Sequence, residues 1–124
     1  MLDKEQIRDR LQTDAFWVTN TRVALTGAIA ERFMKYVVGL YINGNTQIAT
    51  GVMIEKMEEG TPTTYTVKFS HINVPAADNI QIPKDGYSIT DPILTLEGGS
   101  RLYASTLVSG HSVNLSVIHW DNDI

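Results

Sequence analysis

His111-Ser-Val-Asn-Leu-Ser-Val-Ile-His-Trp120 is the stretch that decides the fold, because Val113, Leu115 and Val117 share one parity while Ser112, Asn114 and Ser116 share the other. Successive side chains of a strand point to opposite faces. The run therefore predicts a half-buried β-strand with an apolar core face and a hydroxyl-and-amide outer face. The polar side carries Ser and Asn rather than Lys and Glu, which suits a surface covered by another subunit.

Working back from that run, Ser109-Gly110 separates it from Leu102 to Val108, and the two segments are expected to pair across this turn. Farther upstream Met34, Tyr36, Val38, Leu40 and Ile42 occupy one parity, and Asn43-Gly44 follows at once. Asn-Gly readily takes both left-handed conformations of a tight hairpin turn. The expected partner strand runs from Thr46 to Met57, with Ile48, Val52 and Ile54 on one face. After the breakers Glu58, Glu59, Gly60 and Pro62, Tyr65, Val67 and Phe69 alternate with Thr64, Thr66 and Lys68. Three consecutive antiparallel strands would make a meander. Pro75, Pro83 and Pro92 punctuate the shorter elements beyond, since proline cannot donate to a ladder, and Ile93, Leu94 and Leu96 lead into Gly98-Gly99.

At the other end, Asp3 and Gln6 have capping-box spacing, and Leu2, Ile7 and Leu11 form a narrow apolar stripe, which predicts a helix over residues 3–13. So short a helix is marginal alone, so its stripe needs a surface, either its own sheet or a neighbour's. Residues 15–30 read as extended, although Ala28 to Phe33 would also suit a helical turn. The expected organisation is an N-terminal helical arm, residues 1–14, followed by a β-sandwich domain, residues 15–124. Seven or eight short strands with turn signals about every ten residues predict an all-β fold, a two-layer antiparallel β-sandwich of jelly-roll or immunoglobulin-like kind. A doubly wound α/β fold is disfavoured, because no helical patterns separate the strands.

The 124 residues suffice for one domain with a real core. Fourteen acidic residues against ten basic ones give a net charge of -4 with no basic patch, so neither direct nucleic-acid binding nor an anionic membrane partner is expected. The absence of cysteine excludes disulfides, thiolate zinc sites and thiol nucleophiles. The opening MLDKEQIRDR is charged where a secretory signal needs an apolar core, and no apolar run approaches the roughly 18 residues of a membrane span. The chain is expected to start near Met1 and to work in an aqueous phase.

Candidate chemistry is sparse. His111 and His119 share a parity, but eight residues at about 3.4 Å each place them roughly 27 Å apart, too far to share an ion. His71 would have to meet one of them across sheets. Asp121, Asn122 and Asp123 offer oxygen ligands to a hard cation, or else form a solvated terminus. Glu55, Glu58 and Glu59 could supply a carboxylate pair for glycoside chemistry, against a plain solvated turn. There is no Gly-x-Ser-x-Gly elbow, and the isolated glycines make no phosphate-cradling loop. Trp17, Trp120, Tyr41 and Tyr103 would stack on sugars if they lined one face, and otherwise serve as core or subunit contacts. No catalytic residue, cofactor or metal is expected, and the chain is not read as an enzyme.

Val74-Pro75, Ile80-Gln-Ile-Pro83, Asp91-Pro-Ile-Leu-Thr-Leu-Glu-Gly-Gly99, Arg101-Leu-Tyr-Ala104 and Asn114-Leu-Ser-Val-Ile118 together resemble small β-sandwich virion structural proteins of tailed bacteriophages and related viruses. In that group a strand ending in Ile-Pro or Val-Pro precedes a further strand, a Gly-rich turn and two closing strands rich in Ala, Ser, Asn and Val. The resemblance spans residues 71–124, with the segment 32–57 consistent with it. It implies a capsid decoration or other head-associated protein that stabilises the major capsid lattice as a homo-oligomer. The major capsid protein or another virion protein would be its partner, and the virion, assembled in the host cytoplasm, its location. The alternatives are a tail or neck accessory protein and, outside the virion, a carbohydrate-binding β-sandwich. The expected protein interface is the N-terminal segment, through Leu2, Ile7, Leu11, Phe16 and Trp17, unless that segment covers its own sandwich.

Overall fold

The computed structural model describes residues 2–27, 29, 32–44 and 49–123. The alternating run builds strand β9 (Val113–Asp123), which lies inside a sheet with β1 (Gln12–Val18) on one side and β3 (Phe33–Gly44) on the other. Beyond β3 its far edge is shared by β6 (Asn79–Ile82) and β7 (Leu94–Leu96), which pair with different halves of that strand. The second sheet has the order β2 (Val23–Ala24), β8 (Ser100–Thr106), β4 (Thr50–Glu58) and β5 (Thr64–Val74). All pairings are antiparallel, and the two sheets pack face to face as a β-sandwich.

The core lies between the sheets. Val113, Leu115 and Val117 of β9 meet Leu40 and Ile42 of β3, Val52 and Ile54 of β4, and Leu102 and Ala104 of β8, all of them buried. A smaller apolar cluster sits on the opposite, outer face of the first sheet. There α1 (Lys4–Arg10) lays Ile7 against Val38 and Trp120, with Leu2, Leu11, Tyr36, Ile89 and Ile118 around them. The capping box forms: Gln6 N–H donates to Asp3 Oδ1 at 2.9 Å, and Asp3 N–H donates to Gln6 Oε1 at 2.9 Å. The helix stops at Arg10, short of the expected residue 13, because Gln12 and Thr13 are recruited into the β1 ladder opposite His119 and Ile118. The helix-to-strand joint is thus Leu11.

Three sequence expectations on pairing are corrected. Asn43 and Gly44 do not turn a hairpin: they continue β3, opposite Asn114 and Val113, and the chain then crosses to the second sheet. Gly44 is needed for close approach, since a Cβ there would lie 2.6 Å from the Pro75 carbonyl oxygen and 2.9 Å from that of Asp78. Thr46 and Ile48, the expected start of the partner strand, lie outside the described residues. The meander accordingly shrinks to the β4–β5 hairpin. Likewise Leu102 to Val108 and the closing strand do not pair across Ser109-Gly110, because β8 belongs to the second sheet and β9 to the first. In both cases a turn signal marked a passage between layers. The single parity assigned to Met34 through Ile42 is also broken, by a bulge at Val38. Val37, Leu40 and Ile42 enter the core, while Tyr36 and Val38 face the helix.

Candidate functional site

The register of the first sheet lays out its outer face rung by rung. Trp17, Asn114, Asn43 and Asn79 form one rung, and Ala15, Ser116, Tyr41 and Gln81 the next. Thr13, Ile118 and Gly39 form the third, where Tyr87 packs over Gly39 and the helix cluster begins. None of these side chains is charged. Trp17 is 51% exposed and Tyr41 45%, far above what a large aromatic retains in a core. Across β9 the two positions lie two strand spacings and one rung apart, about 12 Å. The helix covers the other half of the same face, so this open half is a flat, neutral platform with two aromatic anchors and amide groups between them.

The opposite face of the molecule differs in kind. On the outer side of the second sheet Glu55, only 4% exposed, receives Arg22 Nε at 2.8 Å and Nη2 at 3.1 Å. The Arg22 guanidinium lies 3.9 Å over the Tyr65 ring, which meets Tyr103 edge-on. Hydrogen bonding to Glu55 raises the Arg22 pKa further above its ordinary value. The three glutamates considered for glycoside chemistry are separately paired, Glu55 with Arg22, Glu58 with Lys56 and Glu59 with Arg101. They present no free carboxylate pair. Asp121 is paired with Lys35 at 2.7 Å.

The expected interface residues are divided by the fold. Leu2, Ile7 and Leu11 lie on the molecule's own outer face, and Phe16 points inward against the main core. Trp17 alone among the five stands open. Tyr41 and the amides of Asn43, Asn114 and Gln81 join it, a grouping that sequence alone could not supply, because it depends on β9 lying between β1 and β3. Of the aromatics weighed for stacking, Trp120 is beneath the helix and Tyr103 on the other sheet. Among the described residues no three His, Asp or Glu side chains converge on a point that could hold a metal ion. No described helix is long and apolar enough to cross a membrane. A scan against protein-family models finds no match, and searches of curated proteins and of solved structures likewise find none.

Proposed function

We propose that this chain is a virion structural protein, a capsid decoration or other head-associated subunit that docks on a major capsid lattice through the open outer face of its first sheet. The single observation that carries the reading is the exposure of Trp17 and Tyr41 on a face without charge. Depletion of charge around aromatic anchors is the compositional mark of the buried centre of a protein interface. The resemblance of residues 71–124 to small virion β-sandwich proteins supports the same reading. Four strands at about 4.8 Å by six residues at about 3.4 Å make the platform roughly 400 Å², half the roughly 800 Å² per partner of a standard interface. A contact of that size is weak singly and suits a lattice, where many copies act together.

The test is quantitative mass spectrometry on density-purified virus particles from the source culture, following the tryptic peptide from Leu102 to Ile124. Recovery near the abundance of the major capsid protein supports decoration, and a few copies per particle would move the protein to the neck or tail. Presence only in the soluble lysate would overturn the virion reading. A carbohydrate-binding module is the second reading, favoured by the same two rings flanked by amides, since the C–H face of a sugar stacks on an aromatic ring while amides meet its hydroxyls. A sugar-dependent rise in melting temperature would identify it.

A further inference from the structure

The core face of the first sheet is apolar until one corner. There Gln12 pairs with His119, Asp14 lies one rung above, and Lys35 sits opposite Asp121. His119 is 3% exposed, with Nε2 at 2.7 Å from Asp14 Oδ2 and Nδ1 at 3.0 Å from Lys35 Nζ. An ammonium only donates, so Nδ1 accepts from Lys35 and Nε2–H donates to Asp14, which fixes the orientation of the ring. Lys35 also donates to Asp121 Oδ1 at 2.7 Å.

This corner opens into a cleft of about 340 Å³ between β1 and β2, edge strands of the two sheets that are not hydrogen-bonded to each other. Phe16 and Leu25 supply apolar wall, and Lys35, Arg101, Thr26, His119, Gln12 and the Asp14 carboxylate the polar lining. Asp14 is the one carboxylate of the lining, and its Oδ2 is taken by His119, while Arg101, Thr26 and Lys35 retain donors. Arg101 Nε is buried without a partner, while its Nη2 reaches out to Glu59 at 3.4 Å. Thr26 Oγ1 accepts from the Leu102 N–H, which leaves its own proton to give, and two bonds of Lys35 leave its third proton. A buried guanidinium N–H without an acceptor is costly, and an oxyanion is the group whose geometry a guanidinium fork matches.

We propose that the cleft between β1 and β2 binds a small organic carboxylate, its oxyanion received by Arg101 and Lys35 and its apolar portion lying against Phe16 and Leu25. The site faces away from the Trp17–Tyr41 platform and does not depend on what that platform binds. Titration of the full chain with sodium butyrate, against sodium chloride and sodium phosphate at matched ionic strength, tests it through the Arg101 Nε–H resonance in NMR and the melting temperature. The expected result is a saturable shift of that resonance and a rise in Tm with butyrate, with affinity reduced at least tenfold in Arg101→Gln and in Lys35→Gln. Arg101 is partly exposed, so Arg101→Gln keeps the fold, and the unshifted core amides check this. A drift linear in concentration and equal for all three salts, or saturation by phosphate alone, or saturable butyrate binding that Arg101→Gln leaves unchanged, would each overturn the proposal.

Discussion

Replacing Ile7 by alanine should release the helix from the sandwich while the sandwich itself stays folded. Docking of α1 rests on Ile7, 5% exposed, with Leu2 and Leu11 partly buried beside it. Each apolar side chain contributes at most about 1.5–3 kcal/mol when fully buried. Against them stands the ordering of about ten residues at about 1 kcal/mol each, offset in part by the capping box. The net is close to balance, within a few kcal/mol, so the helix is docked but not by much. Ile7→Ala removes about 2 kcal/mol or more, the low end for a buried branched side chain because the site is at the surface and can relax. That is enough to make the undocked form abundant. Trp120, now 7% exposed beneath the helix, would meet water, and in a Trp17→Phe background its emission should move to the red. Hydrogen exchange of the α1 amides should accelerate while that of β3 and β9 amides in the core rungs holds. Unchanged α1 protection, or loss of core protection in step with the helix, would refute this division between a peripheral helix and an independent sandwich.

Further outcomes follow from single contacts. Gly44→Ala should cost about 2–3 kcal/mol, because the new Cβ meets backbone oxygens that cannot yield, whereas Gly27→Ala, with nothing within 4 Å, should be near neutral; chemical denaturation compares the two. Burial works against the Lys56 ammonium, but its hydrogen bonds to Glu97 and Glu58 outweigh that and raise its pKa above the ordinary 10.5. Its contribution to stability is therefore complete below about pH 10.5 and lost as pH climbs through the higher folded value, so Lys56→Met should flatten the alkaline limb of a stability–pH curve. Trp17→Ala and Tyr41→Ala should change stability by less than about 0.5 kcal/mol, as exposed positions do, yet abolish particle binding in a sedimentation assay. Full binding by the double variant would remove the platform from the account.

The alternation of Val113, Leu115 and Val117 was enough to place the closing strand and its buried face, and Asp3 with Gln6 to start the helix. These signals are local and are read within one strand or one turn. What failed to read was which strands pair. Asn43-Gly44 and Ser109-Gly110 look like hairpin turns, and a hairpin and a crossing between layers ask the same conformational freedom of the backbone. Only the far side of the chain tells them apart, as the carbonyls of Pro75 and Asp78 do for Gly44. The parity of β3 was lost to one extra residue at Val38, which periodicity alone gives no reason to expect. The platform was half legible. Its neutral Ser and Asn were visible in β9, but Trp17 and Tyr41 come together only through pairings of high sequence separation.

The position of β9 also sets the order in which the first sheet can be assembled. Its eleven paired positions with β3 and seven with β1 hold the first sheet together, and β1 and β3 share no ladder of their own. During synthesis β4, β5 and β8 can pair as they emerge and β3 can take up β6 and β7, but β1 has no partner until β9 follows. Until then β1 and the β9-facing edge of β3 present unpaired backbone, with Ile42 and Phe16 uncovered beside it. Between these strands β9 is the clasp of a half-closed book, and misassembly and chaperone demand should concentrate in the interval before it pairs.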